Sequence, residues 1–169
     1  TNWNNVNNAD ANFEMLDAAF GDKLILCPVV DVADFYATGS SQSGGGGGDV
    51  FMYLFTHRSS QSLWPEWYGV VHTDEIPFVF GHPLYPDHGY TPSERALSRT
   101  LLHYWSNFAK FNDPNGDTSG SSKQQKVWPK YRILNEKAVG DSQRAFLDLN
   151  ANEIRIDHNL RSDYCCLLY

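Results

Sequence analysis

The sequence has little of several features that would assign a protein to a class at once. It has no run of 18 apolar residues, so nothing in it predicts a membrane-spanning helix. It has no Asn-x-Ser/Thr sequon, so N-glycosylation gives no support for secretion. It also has no basic excess, because the net charge is −7, and this argues against nucleic acid as a partner.

Cysteine and targeting signals are scarce as well. Three cysteines, Cys27, Cys165 and Cys166, cannot all pair with one another, and composition alone leaves buried free thiols and a disulfide equally open. Adjacent Cys165 and Cys166 are poorly placed to bridge each other. The polar start has no initiator Met and no signal-peptide pattern, so we expect that the chain begins inside something larger or is a processed product.

What the sequence does contain is typical of a globular α/β protein. Its 169 residues, of which 41% are hydrophobic and 14% aromatic, are enough for one domain with a real core. The apolar run Val50–Thr56 predicts a strand buried on both faces, as in a parallel sheet covered by helices. The pattern Thr91-Pro92-Ser93-Glu94 is a capping box, and it predicts a helix over Thr91–Lys110.

The remaining elements are shorter. Periodicity predicts a helix over Asn12–Phe20 that ends at Gly21, and a second helix that starts near Pro28. Residues 38–49 are rich in serine and glycine and predict a flexible surface loop; a phosphate cradle is disfavoured because no Lys-Ser/Thr follows. Further predictions are strands over Ala145–Leu149 and Glu153–Asp157, a packing anchor or turn at Trp128–Pro129, and the start of a helix in His158–Tyr169.

One histidine stands out within the stretch Ser62–Gly81. His72 lies between aromatic residues on one side and apolar residues on the other, with three acidic residues within six positions. A histidine so enclosed can be a buried proton carrier, since small environmental shifts move its pKa across neutrality. A hydrogen-bonded core or surface histidine is the alternative. Because this stretch follows the Val50–Thr56 strand, and ligands in open α/β sheets bind beyond the carboxyl ends of strands, a site is expected here.

The other histidines give no metal site. The spacing of His72, His82 and His88 matches no helical or turn-based zinc pattern. His57 ends the predicted strand, and we interpret the two others, His103 and His158, as surface or interface residues. We therefore predict neither a metal nor a cofactor.

Several segments, in one order and spacing, resemble a known family. They are WPEWYGVVHTDEIPFVFG around His72, GDKLILCP at Gly21–Pro28, FMYLFTHRSS at Phe51–Ser60, HYWSNFAKFNDPN at His103–Asn115, and the pairs Trp128–Pro129 and Asp148–Leu149. Together they resemble the cholinesterase and type-B carboxylesterase family over almost the whole chain. Within that family, the match is closer to the acetylcholinesterases than to the general carboxylesterases.

The resemblance implies a fold and a reaction. It implies that residues 1–169 are the C-terminal part of a single α/β-hydrolase domain, with a mostly parallel sheet and covering helices. It also implies choline-ester hydrolysis through a serine nucleophile, with His72 as general base and then acid. No G-x-S-x-G motif occurs, so the serine and the acid of the triad would lie outside this chain, which should be inactive alone.

The resemblance also implies roles for individual residues. Glu75 matches a buried glutamate near the triad, although a solvent-facing acid at a helix N-terminus is the alternative. The positions that would face or border the substrate pocket are Trp64, Tyr68, Val71, Thr73 and Asp74. An aromatic wall suits a quaternary ammonium, but without the resemblance core packing explains the two tryptophans, Trp64 and Trp67, equally well. Two residues depart from the family pattern: Thr73 stands where cholinesterases commonly have glycine, and Asp74 where many vertebrate members have tyrosine.

The resemblance further implies a disulfide between Cys27 and Cys165, which leaves Cys166 over. A disulfide would place the protein in an oxidising compartment, secreted or anchored outside the cell. Its partner would be a small ester, and family members often form homodimers through the C-terminal helix. The alternative functions are a broader carboxylesterase and a non-catalytic adhesion protein like a neuroligin. The segment that carries the nucleophile would distinguish an enzyme from an adhesion protein.

Overall fold

A computed structural model of the chain describes residues 9–42, 48–116, 126–133 and 144–165. Two of the sequence predictions, the loop over residues 38–49 and the helix in His158–Tyr169, lie partly outside these ranges. The helices and strands are α1 (Ala9–Gly21), a π-helical segment (Asp22–Leu26), α2 (Cys27–Gln42), β1 (Tyr53–Phe55), α3 (Ile76–Val79), α4 (Pro92–Phe111), β2 (Ala145–Leu149), β3 (Arg155–His158) and α5 (Ser162–Cys165). Short 3-10 helices cover Glu66–Tyr68, His82–Leu84 and Pro86–His88.

The first two predicted helices form one continuous helical segment. Gly21 has helical dihedrals, with φ −59° and ψ −44°, and the chain passes through the π-helical segment directly into α2. The predicted helix end at Gly21 is therefore wrong. Glycine permits a helix end but does not impose one, and here the widened turn continues the backbone hydrogen bonding.

The second helix is also longer than predicted. It continues to Gln42, so the predicted loop over residues 38–49 is wrong for Thr38–Gln42. The Thr38 hydroxyl donates to the carbonyl of Asp34 at 2.8 Å, which satisfies the hydroxyl inside the helix. Residues 43–47, which include most of the glycine run, lie outside the described residues.

The described strands form a three-stranded sheet in the order β1-β2-β3. β1 runs parallel to β2, with Tyr53 opposite Leu147, and β3 runs antiparallel to β2, with Leu147 opposite Ile156. Among the described residues the sheet is thus mixed rather than mostly parallel. All five residues of the central strand β2 are buried.

The predicted strand Val50–Thr56 is shorter than expected. Only Tyr53–Phe55 is in strand conformation, and all three residues are half-buried, not enclosed on both faces. Among the described residues β1 pairs only with β2, so one of its edges is uncovered, which accounts for the lower burial. β3 also begins two residues later than predicted, since the Asn150 side chain accepts from the Asn152 amide and holds a turn there.

The helix α4 packs across this sheet. It starts at the predicted capping box: the Thr91 hydroxyl accepts from the Glu94 amide at 3.2 Å, and the Glu94 carboxylate accepts from the Thr91 amide at 2.7 Å. The main core contains three residues of α4 and residues from α3, the 126–133 segment and β2; its members are Phe78, Leu97, Leu101, Tyr104, Trp128, Leu147 and Leu149. The predicted anchor Trp128 is 5% exposed, and its Nε1 donates to the carbonyl of Met52 at 3.0 Å.

A second core cluster lies beneath α2. Val30, Ala33 and Ala37 pack there with Met52, Tyr131 and Phe146. A disulfide joins Cys27 at the start of α2 to Cys165 in α5, with 5.3 Å between the Cα atoms. This is the pair that the resemblance implies, whereas Cys166 lies outside the described residues. No helix in the described part of the chain is both long and apolar enough to cross a bilayer.

Candidate active site around His72

The candidate site is built on the loop that leaves β1. Arg58, just beyond the strand, donates from Nη2 to the carbonyl of Trp64 at 2.7 Å. This bond holds the Trp64 backbone near the end of β1. The loop therefore enters the predicted site at a defined point, beyond the carboxyl end of a strand, where α/β sheets place ligands.

Four aromatic side chains follow one another along this surface. The ring of Tyr68 lies 5.3 Å from that of Trp64 and 4.2 Å from that of Trp67, both in tilted arrangements. Phe13 of α1 meets Trp67 edge-on at 5.1 Å. All four rings are exposed, and Trp64 is 52% exposed. Core packing therefore does not account for these residues within this chain. Sequence reasoning missed Phe13, because nothing in the helical periodicity links it to Trp67, which lies 67 − 13 = 54 positions further along the chain.

His72 occupies a tight turn immediately after these aromatics. The amide of Asp74 donates to the carbonyl of Val71 at 3.1 Å, which closes a β-turn with His72 and Thr73 at its centre. The Asp74 carboxylate accepts in return from the Val71 amide at 3.0 Å. Four of the predicted site residues, Val71 to Asp74, thus form one structural unit, and Asp74 has a role in bracing the turn.

The His72 ring is exposed on the described chain. None of the described residues forms a hydrogen bond with it. The expectation of a histidine enclosed between its neighbours is therefore not what the structure shows. Because the ring is exposed in a loop, it can contact groups that approach from outside.

Glu75 lies at the start of α3. Its carbonyl accepts from the amides of Phe78 and Val79, each at 3.0 Å, and its side chain is half-buried and makes no capping hydrogen bond. Burial raises the pKa of the Tyr53 phenol, and the negative charge of Glu75 raises it further. The Glu75 carboxylate therefore lies close enough to Tyr53 of β1 to act on it electrostatically. Glu75 is thus not a purely solvent-facing acid.

A buried carboxylate, Glu94, fastens the loop after β1 to α4. Its oxygens accept from the Ser60 amide at 2.6 Å, from the Ser60 hydroxyl at 2.6 Å, and from the Thr91 amide at 2.7 Å. The Nε2 of His57 lies 3.2 Å from Oε1. Burial alone would raise the pKa of Glu94, but the hydrogen bonds from Ser60 and Thr91 outweigh it and lower the pKa to about 2.

Glu94 was visible in the sequence only as a capping residue. Its second role, as the acceptor for Ser60, joins positions 34 residues apart and leaves no local pattern. On the other side of the site, the Ser98 hydroxyl donates to the Phe78 carbonyl at 2.7 Å. The helix α4 therefore holds both the segment that enters the site and the helix that leaves it.

Two histidines beyond the turn lie close to each other. The rings of His82 and His88 lie 5.9 Å apart, and the Nδ1 of His88 donates to the His82 carbonyl at 3.1 Å. In the part of the chain that the structure describes, no three His, Cys, Asp or Glu side chains are grouped as metal ligands.

Comparison with known proteins gives a consistent result over most of the chain. The model of the Carboxylesterase family matches residues 1–167. The chain is similar to an acetylcholinesterase of Danio rerio, with 35% identity over 99% of this chain and 29% of that protein. It is similar to an acetylcholinesterase of Gallus gallus, with 40% identity over 98% of this chain and 19% of that protein. It also resembles acetylcholinesterase 1 of Caenorhabditis elegans, with 45% identity over 70% of this chain and 18% of that protein.

The chain thus spans between 18% and 29% of the length of these curated relatives. Its mixed α/β structure, with a small sheet and packed helices, is consistent with the match. Since the family match covers nearly all of its residues, the chain belongs to the carboxylesterase family.

Proposed function

We propose that this chain is the C-terminal part of the α/β-hydrolase domain of a serine esterase that hydrolyses choline esters, and that His72 is its catalytic histidine. The observation that carries the proposal is the position of His72. Its ring is exposed at the centre of a braced turn, between an exposed aromatic surface and α3. A proton carrier must be able to reach the atoms of a reacting group, and this ring is accessible.

His72 would act with a serine and an acid that are supplied by another part of the protein. It takes the proton from the serine hydroxyl as that oxygen attacks the ester carbonyl. It then gives the proton to the leaving alcohol. In a second cycle it takes a proton from water, which attacks the acylated serine and releases the carboxylic acid product. General acid–base catalysis of this kind contributes about 10²–10⁴-fold to the rate.

The aromatic surface supports a cationic alcohol such as choline as the leaving group. The Trp64 ring is 52% exposed and packs against Tyr68 at 5.3 Å, in the segment that leads to the His72 turn. A quaternary ammonium is attracted to such ring faces, by more when water is excluded. The net charge of −7 also favours a cationic substrate. The chemistry needs no metal or cofactor, and the relatives named acetylcholinesterases support the same substrate class.

Location and assembly follow from the same proposal. The disulfide between Cys27 and Cys165 is typical of an oxidising compartment, so we place the protein outside the cell, secreted or anchored at the cell surface. Family members often form homodimers through the C-terminal helix, and we propose that the full-length protein can do the same. Size-exclusion chromatography with light scattering on the full-length protein tests this assembly.

The test of function uses the full-length protein that contains this chain. A fluorophosphonate probe reacts with an activated serine, so it should label the parent protein and should not label a His72→Ala variant. His88→Ala is the matched control, because it removes another exposed imidazole and should leave labelling intact. Comparing the hydrolysis of acetylthiocholine with that of a neutral ester then assigns the substrate class.

Each unfavourable outcome has a definite meaning. If the parent protein is not labelled, the esterase function is wrong and a non-catalytic adhesion role becomes the better interpretation. If labelling is equal in parent and His72→Ala, then His72 is not the base. If the neutral ester is hydrolysed at the same rate as acetylthiocholine, the protein is a broader carboxylesterase.

A further inference from the structure

The residue after His72 has an unusual backbone conformation. Thr73 has φ +80°, whereas β-branched residues almost never adopt positive φ. The value is the one that defines the third position of a type II turn, which normally requires glycine because a Cβ is unfavourable there. The structure therefore places one of the least suitable side chains at the position beside His72.

A type II turn has a close alternative. Type I and type II turns share the hydrogen bond between their first and last residues, and they differ in the orientation of the central peptide. Here that peptide joins His72 to Thr73. Flipping it would carry Thr73 to a negative φ, where threonine is favourable, and would change ψ of His72 at the same time. Because the allowed side-chain rotamers depend on φ and ψ, the flip would also redirect the imidazole.

The ends of this turn are held, so such a flip can be local. The Asp74 carboxylate and the Asp74 amide both bond to Val71, at 3.0 and 3.1 Å. The amide of Ile76 donates to the Thr73 carbonyl at 3.1 Å, which joins the turn to α3. Ser98 in turn holds the carbonyl of Phe78 in α3. The side chains of His72 and Thr73 are both exposed in the described part of the chain, so packing within that part restrains the peptide between them little.

We propose that Thr73 is a positioning residue for His72. Its side chain keeps the His72–Thr73 peptide in an equilibrium between the type I and type II turn forms. The type II form presents the imidazole for proton transfer, and the strain at Thr73 lowers the fraction of molecules in that form. This inference rests on the proposed esterase function. Strain from one residue at positive φ can shift such an equilibrium by on the order of tenfold.

The experiment measures steady-state kinetics of three variants in the full-length protein. Thr73→Gly removes the strain and should raise kcat by about threefold or more, with KM changed by less than about twofold, because only the competent fraction changes. Thr73→Val keeps the β-branch and with it the backbone strain, so it should not show the rise in kcat that is expected for Thr73→Gly. Thr73→Ala keeps a Cβ without the branch, and its kcat should lie between those of the parent and Thr73→Gly.

A purely structural role for Thr73 would alter the melting temperature and leave the ratio of kcat between the variants near one. Either that result, or a kcat for Thr73→Gly at or below the parent value, overturns the inference. Equal gains for the valine and glycine variants would also overturn it, since they would assign the effect to the hydroxyl. Failure of the parent protein to react with the fluorophosphonate is a different outcome, because it overturns the esterase function and the inference together.

Discussion

The Ser98 hydroxyl donates a hydrogen bond to the carbonyl of Phe78 at 2.7 Å, and both residues are fully buried. Phe78 belongs to α3, which begins directly after the His72 turn, and Ser98 belongs to α4. The bond joins the short helix that leaves the site to the 20-residue helix α4. A four-residue helix has little stability of its own, so its position depends on contacts of this kind.

We expect Ser98→Ala to destabilise the protein by about 1 kcal/mol. The carbonyl of Phe78 also accepts from the amide of Gly81 at 3.2 Å, so it keeps a partner and the cost stays modest. Ser106→Ala is the matched control on the same helix, since Ser106 is exposed and bonds only within its own turn. Denaturant midpoints measure both variants. Equal effects of the two substitutions would contradict a special role for Ser98.

Glu94 should make stability depend on acid pH. Its pKa of about 2 lies below the ordinary value of 4.5, so the unfolded chain binds the proton more readily than the folded one. The stabilisation is therefore complete above about pH 4.5 and is lost as the pH falls from there towards 2. For a carboxyl that is 1% exposed, a shift of this size corresponds to about 3 kcal/mol.

The substitution Glu94→Gln tests this expectation through melting temperatures recorded between pH 2 and pH 5. The variant should be less stable than the parent at pH 5, and its melting temperature should fall less steeply towards pH 2. Glu66→Gln is the control. It makes the same change at an exposed glutamate, so its profile should follow that of the parent. A Glu94→Gln profile parallel to the parent profile would show that Glu94 keeps an ordinary pKa.

The disulfide should be a major source of stability. It joins residues 138 positions apart, and the chain-entropy model gives about 4–5 kcal/mol for a loop of that length. We expect the double variant Cys27→Ala/Cys165→Ala to lose stability on that scale in a denaturant titration. Cys166→Ala is the control, and it should behave like the parent if Cys165 is the bridged partner. If Cys166→Ala is destabilised instead, the partner of Cys27 is Cys166 and not Cys165.

Phe13 and Trp67 should be energetically coupled. Their rings meet edge-on at 5.1 Å with an interplanar angle of 80°. Such pairs contribute about 0.5–1.5 kcal/mol beyond the area that they bury. A double-mutant cycle with Phe13→Ala and Trp67→Ala should give a coupling energy in this range. The same cycle with Phe20→Ala should give none, because Phe20 lies on the same helix and has no ring contact within the described residues. Equal values for the two cycles would contradict the contact.

Local sequence patterns were sufficient for the elements whose signals are local. The capping box at Thr91 predicted the start of α4 correctly, because both of its hydrogen bonds join residues three positions apart. The strand Ala145–Leu149 was predicted to the residue, since a short run with turn residues on both sides has few alternatives. Gly21 was misread for the opposite reason: glycine is compatible with both a helix and its end, and the neighbouring turns decided between them.

The family and the residues of the His72 turn could be identified without coordinates, because one continuous segment carries both. The folded chain was needed to show that Phe13 joins the aromatic surface, that Glu94 holds Ser60, and that Thr73 has a positive φ. Each of these depends on groups brought together from distant positions or on a backbone angle held from both sides. Periodicity and composition describe neighbours along the chain, whereas packing and hydrogen bonding select among the conformations that those neighbours allow.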